Sequence, residues 1–187
     1  MVSLYIHTQN ITIRFAQIAD LASICGLDRI VTYEYFKPLY QKHFTHFELG
    51  CNPDPFLEKE LAADVTDFKQ LLTSNANHIL IALDVEHIVG ILVFHQENTS
   101  LELDLLLIDE QYRKQGIGKK LVDAMLAANQ DATHCNVYVI RDNHPALKFY
   151  EKLGFINLGI PHKEKQNIYG ISYADMYWHY ELNINYY

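Results

Sequence analysis

The amino-acid sequence predicts one mixed α/β domain spanning residues 1–187. Short β-type apolar runs are interspersed with longer segments whose apolar residues recur at helical spacing. No internal repeat, low-complexity tract or linker divides the chain, which is about one domain long. With 49% hydrophobic and 20% charged residues, it can bury a core and is too apolar for a disordered chain.

Taken in order, Ile11–Phe15 reads as a short strand. A helix over about Gln17–Leu27 follows, with Ile18, Leu21, Ala22 and Cys25 on one face. Tyr33–Leu49 is rich in aromatic residues and interrupted by Pro38. Asn52–Pro55 breaks the chain, and Phe56–Leu72 reads as a helix carrying Leu57, Leu61, Val65, Phe68 and Leu72. His78–Leu83 and Ile88–His95, joined by a short polar turn, give a hairpin signal. Leu101–Ile108 is the next strand, leading through a turn into a helix of about Gly116–Asn129. Strand Thr133–Ile140, helix Pro145–Leu153, and strands Phe155–Leu158 and about Ser172–Leu182 complete the order.

Composition narrows the function. A net charge of −8 lacks the basic face that phosphate neutralisation needs, so nucleic acid is not an expected partner. It suits a cationic partner such as an amine, and equally suits simple solubility. Cys25, Cys51 and Cys135 form no C-x-x-C pair and are odd in number, which fits reduced thiols and a cytoplasmic location. Met1–Asn10 has neither the basic start nor the apolar run of a secretory signal. Apolar stretches such as Ile88–Phe94 fall short of the roughly 20 residues of a membrane span. His43 and His46 could share a helix face, but no coordinating set accompanies them and no metal is expected.

The sharpest local feature is Arg113-Lys114-Gln115-Gly116-Ile117-Gly118, between a strand and a helix. Glycines there let backbone approach a bulky anion, and the helix start offers unpaired N–H groups and a positive dipole end. Arg113, Lys114, Lys119 and Lys120 concentrate positive charge in an acidic chain, as a phosphate-bearing ligand requires. The P-loop string is absent, and Leu121 occupies the position of the dinucleotide fingerprint's third glycine.

Downstream stand Asn143-His144-Pro145-Ala146-Leu147-Lys148-Phe149-Tyr150 and Lys152-Leu153-Gly154-Phe155. This stretch, with the hexapeptide read as R/Q-x-x-G-x-G/A, resembles the GNAT superfamily of N-acetyltransferases. One helix and one strand separate the two motifs, as that family requires. The match is strong over residues 101–155 and weaker from Ile11 to Leu182. The resemblance implies a mixed, mostly antiparallel sheet of about six or seven strands, splayed into a V between the fourth and fifth, with about four or more flanking helices. It implies an enzyme using acetyl-CoA, whose pantetheine arm would lie along the backbone of Leu106, Leu107 and Ile108. Arg113, Lys114, Gln115, Gly116, Ile117, Gly118 and Lys119 would then wrap the pyrophosphate.

Asn143 matches a cofactor-contacting position, and Asn shortly before Pro145 is equally a good helix start. Tyr150 matches the position of the acid that serves the departing thiolate. It lies on the apolar face made with Ala146, Phe149 and Leu153, so a plain core role reads the same way. Glu102 and Asp104 lie two apart on a strand, hence on one face about 6–7 Å apart, opposite Leu101, Leu103, Leu105 and Leu107. Either could be the base, and both could be merely solvated; Glu34 is a more remote candidate. Neither motif contains a cysteine, so direct attack in a ternary complex is expected over an acyl-enzyme. The expected acceptor is a small-molecule, peptide or protein amine, in a pocket built by Tyr33–Leu49 and Ile160–Tyr173. The rival from another class is a non-catalytic acyl-CoA sensor. Monomer and homodimer stay open.

Overall fold

The computed structural model of the chain describes residues 10–31, 67–74, 77–159 and 177–187. The aromatic segment Tyr33–Leu49, Glu34, His43, His46, Cys51 and the segment Ile160–Tyr173 lie outside the described residues. The elements are β1 (Ile11–Phe15), α1 (Leu21–Val31), α2 (residues 67–73), β2 (Asn77–Asp84), β3 (His87–Glu97) and β4 (Ser100–Ile108). They continue with α3 (Ile117–Ala128), β5 (His134–Ile140), α4 (His144–Lys152), β6 (Ile156–Gly159) and β7 (Tyr177–Asn183). Short 3-10 turns stand before α1, after β4 and after β7.

The strands form one seven-stranded sheet in the order β1-β2-β3-β4-β5-β7-β6. Every neighbouring pair is antiparallel except β4 and β5, which run parallel. That pair is short. Ser100 to Leu103 match His134 to Val137, and the register goes no further. Beyond it β4 keeps pairing with β3 as far as Ile108, and β5 with β7 as far as Ile140. The sheet therefore opens into a V between the fourth and fifth strands, walled by residues 104–108 and 138–140. Backbone polar groups that turn into such a gap need partners from outside the ladder.

Two apolar layers cover the sheet. On one face α3 and α4 pack Ile117, Leu121, Met125 and Leu153 against Leu92, Phe94, Leu101 and Val137. On the other, Ile24, Leu27 and Val31 of α1 and Phe68 of α2 meet Ile81, Ile91 and Val93. Each large aliphatic side chain so buried stabilises the fold by about 1.5–3 kcal/mol.

Two sequence expectations change. The buried stripe of α1 is Ile24, Leu27, Asp28 and Val31, while Ile18 and Ala22 are exposed. The helix begins only at Leu21 after a 3-10 turn, which rotates the stripe away from the expected face. In β4 the four leucines do not share a face. The register passes from Phe94↔Leu103 to Val93↔Leu105, leaving Asp104 as an extra, bulged residue. Leu101 and Leu103 consequently join the α3/α4 core, whereas Leu105 and Leu107 join the α1 core. Leu106 and Ile108 replace them on the α3/α4 side.

Candidate active site

The turn between β4 and α3 is held from several sides. Asp109 caps the 3-10 turn by accepting from the Gln111 amide at 2.9 Å. The Tyr112 hydroxyl donates to Asp84 at 2.9 Å, and Arg113 Nε donates to the Ile108 carbonyl at 3.1 Å. Lys114 and Gly116 both adopt left-handed backbone, with φ of 61° and 81°. Gly116 is the N-cap of α3 and brings no side-chain cap. The first recorded helical bond is Lys120 N–H to the Gly116 carbonyl, so the amides of Ile117, Gly118 and Lys119 have no partner within the helix. An exposed, uncapped helix start with positive dipole is chemically an anion site.

The two glycines serve different ends. Nothing lies within 4 Å of where a Gly116 side chain would stand, and its positive φ is what demands glycine. A methyl group at Gly118 would sit 3.1 Å from Phe149 Cζ, so that glycine lets α3 approach α4. Lys119 is also engaged. Its ammonium donates to Asp123 at 2.7 Å and to the Tyr187 hydroxyl at 2.9 Å, which together push its pKa up to about 12.

Tyr150, on α4, is buried with its ring edge-on to Phe149 and Phe155. Its hydroxyl has no hydrogen-bond partner among the described residues. Burial pushes its pKa up, with the Cys135 thiol adding to the effect. A buried hydroxyl left unpaired calls for an explanation, and a bound partner is one. Asn143 caps α4 by accepting from the Ala146 amide at 3.2 Å, so its helix-start role is realised.

Glu102 and Asp104 do share a face, but in different settings. Asp104 is half-exposed and bonded to His95 Nδ1 at 2.7 Å. Glu102 is buried at 8% exposure, one residue below the fork, and accepts from Asn136 Nδ2 at 2.9 Å. Asn136 Oδ1 in turn is 2.8 Å from His179 Nε2. The sequence reading missed Asn136 and His179. A lone Asn inside the apolar strand His134–Ile140 was the available signal for the first.

The sequence pattern of the acetyltransferase (GNAT) family matches residues 37–155, well over half of the chain. The chain belongs to the GNAT family of acetyltransferases. An N-acetyltransferase 9-like protein of Schizosaccharomyces pombe is 32% identical over 109 residues, covering 54% of this chain and 45% of that protein. N-alpha-acetyltransferase 30 of the same organism is 35% identical over 82 residues, covering 40% of this chain and 55% of that one. The chain thus spans about half the length of these relatives. Among solved structures, the PaiA N-acetyltransferase of Thermoplasma acidophilum in complex with coenzyme A overlays with a TM-score of 0.66. The identity is 20%, over 92% of this chain and 98% of that one. Ard1 of Thermoplasma volcanium overlays with a TM-score of 0.61 at 18% identity, over 92% and 97% of the two chains.

At these identities the solved structures speak for the fold: the GNAT sheet, with its parallel β4–β5 pair and V, is the one described above. Among the described residues, no helix is long and apolar enough to cross a membrane. No group of three or more His, Cys, Asp or Glu among them could hold a metal ion. Free Cys135 is buried, and burial pushes its thiol up to about 12, which suppresses the thiolate that an acyl-enzyme route would need.

Proposed function

We propose that this GNAT member transfers an acetyl group from acetyl-CoA to a primary amine, by direct attack in a ternary complex in the cytoplasm. The observation that carries the reading is the opened β4–β5 ladder above a buried carboxylate, with the uncapped start of α3 at the end of the β4 turn. Acetyl-CoA supplies an acyl group already activated as a thioester, on a carrier with a diphosphate and an amide-bearing arm. The backbone of Leu106, Leu107 and Ile108, past the fork, suits that arm. The turn Arg113–Gly118 and the free amides of α3 suit the diphosphate.

An alkylammonium acceptor with a reference pKa of about 10.4 must lose a proton, at a cost of roughly 4–5 kcal/mol at pH 7. Glu102 receives it, being the carboxylate buried at the apex; Asp104, tied to His95, is the second carboxylate at the fork. Tyr150 serves the departing thiolate. Burial keeps its hydroxyl protonated, so it can donate to sulfur as negative charge develops there. Asn143, at the start of α4, is the further side chain offered to the cofactor. The amine is that of a small molecule, a peptide or a protein. Similarity to N-alpha-acetyltransferase 30 puts protein α-amino groups first among the acceptors to try.

A thiol-release assay with acetyl-CoA, across α-amino peptides, lysine peptides and small amines, tests this. Turnover is expected on at least one class, and Tyr150→Phe lowers kcat about 100-fold while leaving acetyl-CoA affinity nearly unchanged. Acetyl-CoA binding with no turnover on any acceptor would instead mark a sensor.

A further inference from the structure

We infer that Asn136 and His179 are positioning residues, a hydrogen-bonded line across β4, β5 and β7 that orients the Glu102 carboxylate for proton transfer. The inference rests on the reading of Glu102 as base. Three side chains from three strands meet here on the sheet face away from α3 and α4. Cys135, Val137, Tyr180 and Leu182 alternate with them and point into the α3/α4 core.

Hydrogen-bond chemistry fixes each member of the line. Glu102 as a carboxylate only accepts, so Asn136 must present its amide nitrogen to it. Both hydrogens of that nitrogen are used, one on Glu102 Oε1 at 2.9 Å and one on Ser100 Oγ at 2.8 Å. Asn136 Oδ1 then faces β7 and needs a donor there. His179 Nε2 supplies it at 2.8 Å, which requires the hydrogen on Nε2. The His179 ring is itself held by stacking on Tyr138, with centroids 4.9 Å apart and planes 18° apart. Turning the Asn136 amide over would set oxygen against carboxylate and nitrogen against the His179 N–H. The Glu102 contact would then be lost, whichever tautomer His179 took.

The consequence falls on Glu102. One carboxylate oxygen is anchored to Asn136, and Oε2 has no partner among the described residues although the side chain is buried. An anchored oxygen with its twin left open is the arrangement a proton acceptor requires. His95, opposite Glu102 in the β3–β4 register, does not compete for it, since its ring is bonded to Asp104. His179 is bonded to Asn136, which in turn holds the carboxylate. It acts by keeping Asn136 the right way round.

His179→Phe retains an aromatic ring for Tyr138 and removes the donor. We expect kcat to fall about 10- to 100-fold, the effect of a misplaced catalytic group, with the acetyl-CoA KM within about twofold of the parent. His179→Gln, which returns an N–H to the same place, is expected to recover kcat to within about threefold. A purely structural bond would give no such kcat-only loss and rescue. Full activity of His179→Phe alongside an inactive Glu102→Gln would overturn the inference. Full activity of Glu102→Gln would remove the base and this inference together, while acetyl transfer stood. If the parent turned over no amine, the activity reading would fail instead. Nitrogen-15 NMR of His179 then judges the line by itself: an Nε2–H form that is lost in Asn136→Ala supports it, and an Nδ1–H form overturns it.

Discussion

The two halves of β4 live in different surroundings. Ser100–Leu103 is paired on both sides, to β3 and β5, and sends Leu101 and Leu103 into the α3/α4 core. Residues 105–108 are paired to β3 alone and send Leu106 and Ile108 that way instead. One bulged residue, Asp104, separates them. A bulge bends its strand and resets which face each side chain meets, so the same nine residues can close the base of the sheet and hold open its mouth. On the proposed reading, proton handling falls to the closed half, where Glu102 is buried, and ligand binding to the open half.

Deleting Asp104 is the harshest way to break this comparison. The neighbours Leu103 and Leu105 already face Phe94 and Val93, so the β3–β4 ladder would close without a gap. Without the bend, β4 would follow β5 beyond Val137 and the V would shut. We expect cooperative unfolding to persist while acetyl-CoA affinity, measured by calorimetry, falls about 100-fold or more. Retained affinity would mean that something other than the bulge opens the sheet.

The paired glycines sharpen the same contrast, one answering to packing and the other to backbone conformation. Gly118→Ala presses a methyl group on the Phe149 ring and, after the helical preference of alanine is set against that, is expected to cost about 1 kcal/mol in urea unfolding. Phe149→Leu in the same chain should return part of that loss. Gly116→Ala meets no neighbour and costs about 1–2 kcal/mol through its left-handed backbone, with no second-site relief at Phe149. Equal relief of both would put the glycines in one role after all.

Where sequence served well, the signal was local. The hairpin, the strand before the turn and the start of α3 all sit within two residues of where pattern and turn chemistry put them. The bulge was missed because Leu-Glu-Leu-Asp-Leu alternates cleanly through it. The run Leu105-Leu106-Leu107 held the clue, since apolar residues of both parities require two buried faces. The Glu102–Asn136–His179 line could not be read at all. Its members stand 34 and 43 residues apart and meet only through β4–β5 and β5–β7 pairing. The packing role of Gly118 escaped for a similar reason: the ring it meets comes from α4.

The smallest expected effect concerns Lys119, read from sequence as a phosphate contact. Its ammonium is bonded to Asp123 and Tyr187, and the raised pKa of about 12 keeps it charged wherever the protein is assayed. A raised lysine pKa means the pairing is fully present below the ordinary value of about 10.5 and fades only as pH climbs towards 12. Between pH 7 and 9 the ammonium therefore stays charged and bonded to Asp123 in the unliganded protein. Lys119→Ala is expected to weaken acetyl-CoA binding less than about threefold, and less again in high salt, as for other exposed charges. A loss matching that of the Asp104 deletion would show that Lys119 leaves Asp123 when the ligand arrives. The diphosphate would then be held by side-chain charge, and the open amides of α3 would be the lesser part of the site.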